Sequence, residues 1–319
     1  MKTIVLKVAI LLAPFGLAAV AMGAHLEALR DGVFNQEIES KFQTFVLPDT
    51  DVVIGGDSRG ERQVVPSIIE SRTGRKTSNI ATAAGDLITL YNSLKRHGAL
   101  QTDRALIVST SIFQVNDGAI TPGYISTACA LNMTWPERIN VYRSALPSLW
   151  RFLVKTQAGE ERPIPMSGTR LQENGFFGVE GTLRLPVTIL ISPQNTRHPW
   201  YQNLSLHGAR WRVFEEALGR FGKSTLRIYL YLPPVSPAWR AYTAGTFIDK
   251  AEREFGTMLQ AATRSHSNIR ILDFYSEPDP RLGNDMYQDI QHVNRAGAAQ
   301  FTEILIERIG NDLRAGRIQ

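Results

Sequence analysis

A single cysteine, Cys129, among 319 residues excludes an intrachain disulfide, a zinc ribbon and a thiol-redox pair, and a lone thiol of this kind reads as a small buried apolar side chain. Charge of one sign is equally sparse. Lys and Arg total 35 against 30 Asp and Glu, a formal +5 with a pI near 9.4. The cations are dispersed, with no basic run carrying interleaved aromatics, so nucleic acid is not an expected partner. The mild positive balance suits an anionic envelope, polymer or lipid surface instead. Metal ligands at useful spacing are lacking too: His198 and His207 stand nine apart with no carboxylate to complete a site, so no metal is expected. "GGDSRG", residues 55–60, lacks the Lys-Ser/Thr of a phosphate-binding loop, and no cofactor is implied. There is no internal repeat or low-complexity tract.

What is present suits a globular body. Hydrophobic residues make up 43% and charged residues 20%, enough apolar surface for one large α/β domain carrying an insertion. Lys2 and Lys7 precede an uncharged stretch from Val8 to Ala24, so residues 1–24 read as a cleaved export signal or an uncleaved anchor. Pro14, Gly16 and the missing polar face argue against a buried core helix. The body is expected outside the cytoplasm, periplasmic or secreted. Residues 25–48 read as a stalk or first helix, and residues 49–319 as the main domain.

Within that domain, short β-rich runs alternate with helical patterns. "DTDVVIGG" precedes a helical stretch stopped by Gly74; "KTSNIATA" precedes "DLITLYNSLKRHG"; "DRALIVST" is a third strand. Farther on, "STLRIYLYLPP", a helix over 245–265, "NIRILDF" and a last helix over 294–313 continue the pattern. Such alternation implies a parallel sheet covered on both faces. Between about 119 and 223 prolines break the rhythm, and this segment reads as the insertion. Four of the five tryptophans (Trp135, Trp150, Trp200, Trp211) fall there. Trp200 and Tyr201 are candidate sugar-stacking residues, against the plainer alternative of packing within a loop-rich cap.

Ser58 directly follows the first strand, and ligands of open parallel sheets bind at the carboxyl ends of strands. Glycines before it permit a tight turn, and the helix after it can aim backbone N–H groups at an oxyanion. A serine nucleophile requires a base, ideally one oriented by a carboxylate. Of six histidines, only His292 has suitable surroundings: it follows the last strand, precedes the last helix, and has Asp289 three residues upstream. One turn separates them, and that spacing lets Asp289 hold one ring nitrogen while the other faces Ser58.

Gly56-Asp57-Ser58 and Asp289-Ile290-Gln291-His292 together resemble the SGNH, or GDSL, hydrolase superfamily, whose nucleophile lies in a G-D-S block after strand one and whose D-x-x-H lies near the C-terminus. The resemblance implies a flavodoxin-like three-layer α/β/α fold with a central parallel sheet and a midchain insertion. It also implies that Ser58, Asp289 and His292 are catalytic, and that the Ser58 N–H serves the oxyanion hole with the N–H of Gly85, or of Ala84 if the turn is one residue shorter. The third block departs from the family's Gly-x-Asn-Asp: Asn116-Asp117 comes about five residues late, and Ser109, Thr110 or Ser111 stands in the usual place. With the export segment and the insertion, this looks like the envelope-associated branch that includes alginate O-acetyltransferase-like and D-alanyl-transfer proteins.

The function so implied is a serine-dependent ester hydrolase or O-acyltransferase working through an acyl-serine on an extracytoplasmic acylated glycan or a small ester, with a membrane-bound acyl-transfer protein as a further partner. Arg59 is a candidate contact for an anionic substrate. The alternative class is a noncatalytic glycan-binding or assembly protein that keeps the fold.

Overall fold

The computed structural model describes residues 37–38, 40–83, 85–117, 176–183, 201 and 204–315. The export segment, Cys129, Trp135, Trp150, Trp200, Ala84 and most of the expected insertion lie outside the described residues.

The chain is α/β, with five strands in one all-parallel sheet flanked by helices, a flavodoxin-like three-layer arrangement. A helical segment, residues 40–45 (α1), precedes β1 (Val52–Gly56). Then follow α2 (Ser58–Gln63), α3 (Pro66–Thr73), β2 (Thr77–Asn79), α4 (Leu87–Arg96), β3 (Ala105–Ser109) and the short α5 (Ile112–Val115). The second half contributes α6 (Ala209–Phe221), β4 (Arg227–Leu232), α7 (Pro237–Thr243), α8 (Phe247–Thr263), β5 (Ile269–Asp273) and α9 (Arg295–Ala315).

The strand order is β2-β1-β3-β4-β5. From β1 the chain steps outward to β2, then returns past β1 to β3, so the direction of winding reverses at β1. The crevice beyond the carboxyl ends of β1 and β3 is therefore the topological switch point, where this architecture leaves room for a ligand.

Every residue of β1 and β3 is buried, as expected of central parallel strands covered on both sides. Successive side chains alternate between the two layers. Val53, Leu106, Val108 and Leu230 pack with Leu90 of α4, Phe214 of α6 and Phe255 of α8. Val52, Ile54, Ile107 and Tyr229 pack on the other face with Ile69 of α3 and with Phe301 and Leu305 of α9. That second layer matters for the site, because it seats the start of α9 beside α2.

Of the two readings of the residues before β1, a stalk or a first helix, the described part takes the helical one: Ile38 and Phe42 join the core, and the Phe42 ring stacks on His97 with centroids 4.1 Å apart. The helix at Ala209–Phe221, assigned above to the insertion, is the crossover helix between β3 and β4, packed beside α4 through Val213, Phe214, Ala217 and Phe221. Trp211 lies on it and packs against Phe214 and Phe255. The expected insertion at about 119–223 therefore overlaps this crossover helix. Among the described residues, no helix is long and apolar enough to cross a membrane.

Candidate active site

The turn after β1 is built by close backbone approach. Gly56 has φ +105°, a region that disfavours side chains, and a Cβ there would collide with the carbonyl and hydroxyl of Ser109 on β3. Asp57 then caps α2: its Oδ1 accepts the Arg59 N–H at 3.0 Å. Three more bonds hold this carboxylate, from Arg59 Nη2 (3.1 Å), Ser109 Oγ (2.9 Å) and Ser111 Oγ (2.9 Å). Burial alone would push the Asp57 carboxyl up, but the adjacent Arg59 guanidinium and these hydrogen bonds outweigh it and hold the group below the ordinary range.

Ser58 is thus presented on a fixed turn. Its Oγ lies 2.8 Å from His292 Nε2, and His292 Nδ1 lies 2.8 Å from Asp289 Oδ2. The Asp289 carboxylate is pushed up by partial burial but pulled down more strongly by His292 and by the N–H groups of Gln291 and His292, to about 2. An ionised carboxylate only accepts, so Nδ1 carries the ring proton and Nε2 is left to accept from the Ser58 hydroxyl. His292 is buried at 5% exposure, whereas Ser58 is partly open and the Asp289 side chain is 47% exposed. The chain serine–imidazole–carboxylate runs from the mouth of the crevice to its rim.

The loop carrying His292 is held from three sides and by its own backbone. Ser236 N–H donates to Ile290 O (3.1 Å), and Gln63 Nε2, from α2 itself, donates to Gln291 O (2.9 Å). Gln291 Nε2 donates to the Tyr201 hydroxyl (2.6 Å), and the N–H groups of Gln288 and Asp289 donate to His292 O. Gln63 and Gln291, which sequence reasoning missed, are fully buried. A glutamine at the end of a wholly polar hexapeptide carries no signal of this role; only the docking of α9 on α2 creates it.

An oxyanion needs N–H groups with no other acceptor. Early in α2, Arg59 N–H is bonded to Asp57 Oδ1, Gly60 N–H to Ser109 Oγ (2.9 Å) and Glu61 N–H to Asp57 O (3.1 Å). The Ser58 N–H has no acceptor among the described residues and is the donor nearest the nucleophile.

The remaining expected site residues are placed differently. Gly85 gives its N–H to Thr82 O (3.0 Å), and a Cβ there would collide with Gly56 O, so it supports the end of β1 and does not offer a donor. Asn116 is fully buried below α5, its Oδ1 accepting the Ser205 N–H at 2.9 Å; it fastens the returning chain and is closed to a substrate. At the end of β3, Ser109 and Ser111 are both turned to Asp57, and Thr110 Oγ1 donates to Tyr231 O. Arg59 is 3% exposed and paired with Asp57, with its guanidinium carbon 5.2 Å from the Phe113 ring centroid, so it cannot meet a substrate. Tyr201 is wholly buried, against Phe113 and Trp239, and is a core residue and not a sugar platform.

No family model and no curated protein matches the chain. Among solved structures, it is similar to a Streptococcus pneumonia protein named for platelet activating factor, at 10% identity over 92% of this chain and 99% of that one, with a TM-score of 0.43.

Proposed function

We propose that the protein is a serine-dependent ester enzyme of SGNH type that works through an acyl-serine. The observation that carries this reading is the unbroken Ser58 Oγ, His292 Nε2, His292 Nδ1, Asp289 Oδ2 chain, with both links at 2.8 Å, at the switch point of the sheet.

In the reaction, Ser58 Oγ attacks the ester carbonyl carbon as its proton passes to His292 Nε2. Asp289 holds the ring in the tautomer that accepts that proton and faces the imidazolium that results. The tetrahedral oxyanion is met by the Ser58 N–H. Collapse breaks the bond to the alcohol oxygen, which takes the proton from Nε2, and leaves Ser58 acylated. An acceptor hydroxyl then gives its proton to Nε2 and attacks the acyl carbon, and the bond to Ser58 Oγ breaks as that oxygen takes the proton back from Nε2. Water as acceptor makes the enzyme a hydrolase; a sugar hydroxyl makes it an O-acyltransferase, and an extracytoplasmic acylated glycan is the setting we favour. The export-like residues 1–24 and the two family-like blocks support that setting.

Labelling with a fluorescent alkyl phosphonate tests the reading directly. Wild-type protein should be labelled stoichiometrically and Ser58→Ala not at all; equal labelling of the two would place the nucleophile elsewhere.

A further inference from the structure

Arg59, the cation next to the nucleophile in sequence, is occupied by Asp57. Arg62 is not. It lies four positions after Ser58 on α2, so the two share a helix face with Cβ atoms about 6 Å apart. Helical side chains lean toward the N-terminus, which for Arg62 is the direction of Ser58.

The guanidinium lies against a ring. Its carbon lies 5.2 Å from the centroid of Phe177, and the Phe177 N–H donates to Glu61 O at 3.2 Å. The rest of residues 176–183 runs from α2 to the flanks of the His292 loop: Arg295 N–H donates to Val179 O (2.8 Å), Asn294 Nδ2 to Gly181 O (2.9 Å) and Leu183 N–H to Tyr287 O (2.6 Å). This strap thus joins α2 to the flanks of the His292 loop, with Arg62 against Phe177.

Arg62 is also short of an acceptor. Its Nε is sealed from water with no hydrogen-bond partner, and no carboxylate among the described residues forms an ion pair with it. By contrast, Arg72, Arg253, Arg270 and Arg281 each hold a carboxylate. A guanidinium with no carboxylate of its own keeps its pairing capacity for one that a ligand brings. A planar guanidinium stacked on an aromatic ring offers parallel N–H bonds that match a carboxylate.

We infer that Arg62, clamped on Phe177, binds a carboxylate carried by the ester substrate, so that the enzyme selects anionic esters. This rests on the serine-ester reading above. The test uses 4-acetoxybenzoate and its neutral methyl ester, which share acyl group and ring and differ in charge. Wild-type protein should show the higher kcat/KM on the carboxylate, and Arg62→Gln should lower the anionic-to-neutral ratio at least tenfold, with Arg62→Lys in between. Equal proportional losses on both esters would overturn the inference. A binding arm separates the two readings: Ser58→Ala protein titrated with 4-acetoxybenzoate should bind it, and adding Arg62→Gln should weaken the Kd at least tenfold. An unchanged Kd would also overturn the role of Arg62, whereas absent turnover of both esters by the wild type would count against the serine chemistry alone.

Discussion

Ser58, His292 and Asp289 form one proton path, so their substitutions should not add. On an aryl acetate, Ser58→Ala and His292→Ala should each remove nearly all turnover, and the double variant should be no worse than either, since what one removes the other can no longer use. Asp289→Ala should cost roughly ten- to a hundredfold less, because the imidazole remains to accept the proton. Steady-state rates on the four proteins check this; additive losses would mean that the residues act independently. These three are legible in the sequence because few residues can do such chemistry, and only one histidine follows a carboxylate at a usable spacing after the last strand. The roles of Arg59, Tyr201, Asn116 and Gly85 are not legible in this way. Each depends on whether a polar group is already bonded when the chain has closed around it. Asp57 makes the point: it captures Arg59, Ser109 and Ser111 together, removing from the substrate's reach both a cation and the hydroxyls that stand where a third oxyanion donor would be sought.

At the scale of elements, period and punctuation identify the five strands and the helices between them except the β3–β4 crossover, because buried parallel strands need short apolar runs and their helices need one apolar stripe. They fail where polar residues enter the core. The segment at 40–45 reads as part of a polar stalk or a first helix, with nothing to mark a buried cation, yet Lys41 is 2% exposed, and its Nζ donates to Glu61 Oε1 and to Ala81 O, both at 2.6 Å. Glu61 is itself buried on α2, so α1 is tied to the helix that presents the nucleophile. Removing one member of a buried pair leaves the other charge without compensation, which typically costs about 3–5 kcal/mol. Lys41→Met should therefore lower the unfolding free energy by about that much, and Lys41→Met with Glu61→Gln should recover part of the loss, since no buried carboxylate is then stranded. Urea unfolding of the three proteins decides it. A single variant as stable as wild type would mean that the pair carries no weight.

On the scale of the whole molecule, the long-range facts are those no local pattern holds: the strand order, the reversal at β1, and the seating of α9 that brings His292 to a serine 234 positions away. The same closure buries Glu252 of α8 between Arg59 and Tyr201, where burial pushes its carboxyl up to about 7 despite the nearby guanidinium; Asp249 and Asp273 push in the same direction. Asp289, by contrast, is held down to about 2. These shifts oppose each other in their effect on stability. For Asp289 the folded state releases its proton more readily than the unfolded chain, so its contribution is complete above about pH 4 and is lost as the pH falls toward 2. Glu252 is the reverse case. The folded state keeps its proton after the unfolded chain has lost one, so stability is complete below about pH 4 and declines as the pH rises to 7, by on the order of 3 kcal/mol for a shift of this size. Stability should therefore fall on both sides of mildly acidic pH. Thermal unfolding from pH 3 to 8 should show a maximum near pH 4–5, and Glu252→Gln, which cannot ionise, should flatten the decline between pH 5 and 8 while leaving the acid limb in place. A wild-type profile that rises steadily from pH 5 to 8, or a variant with the same alkaline slope as wild type, would show that Glu252 is ionised in the folded protein at all these values.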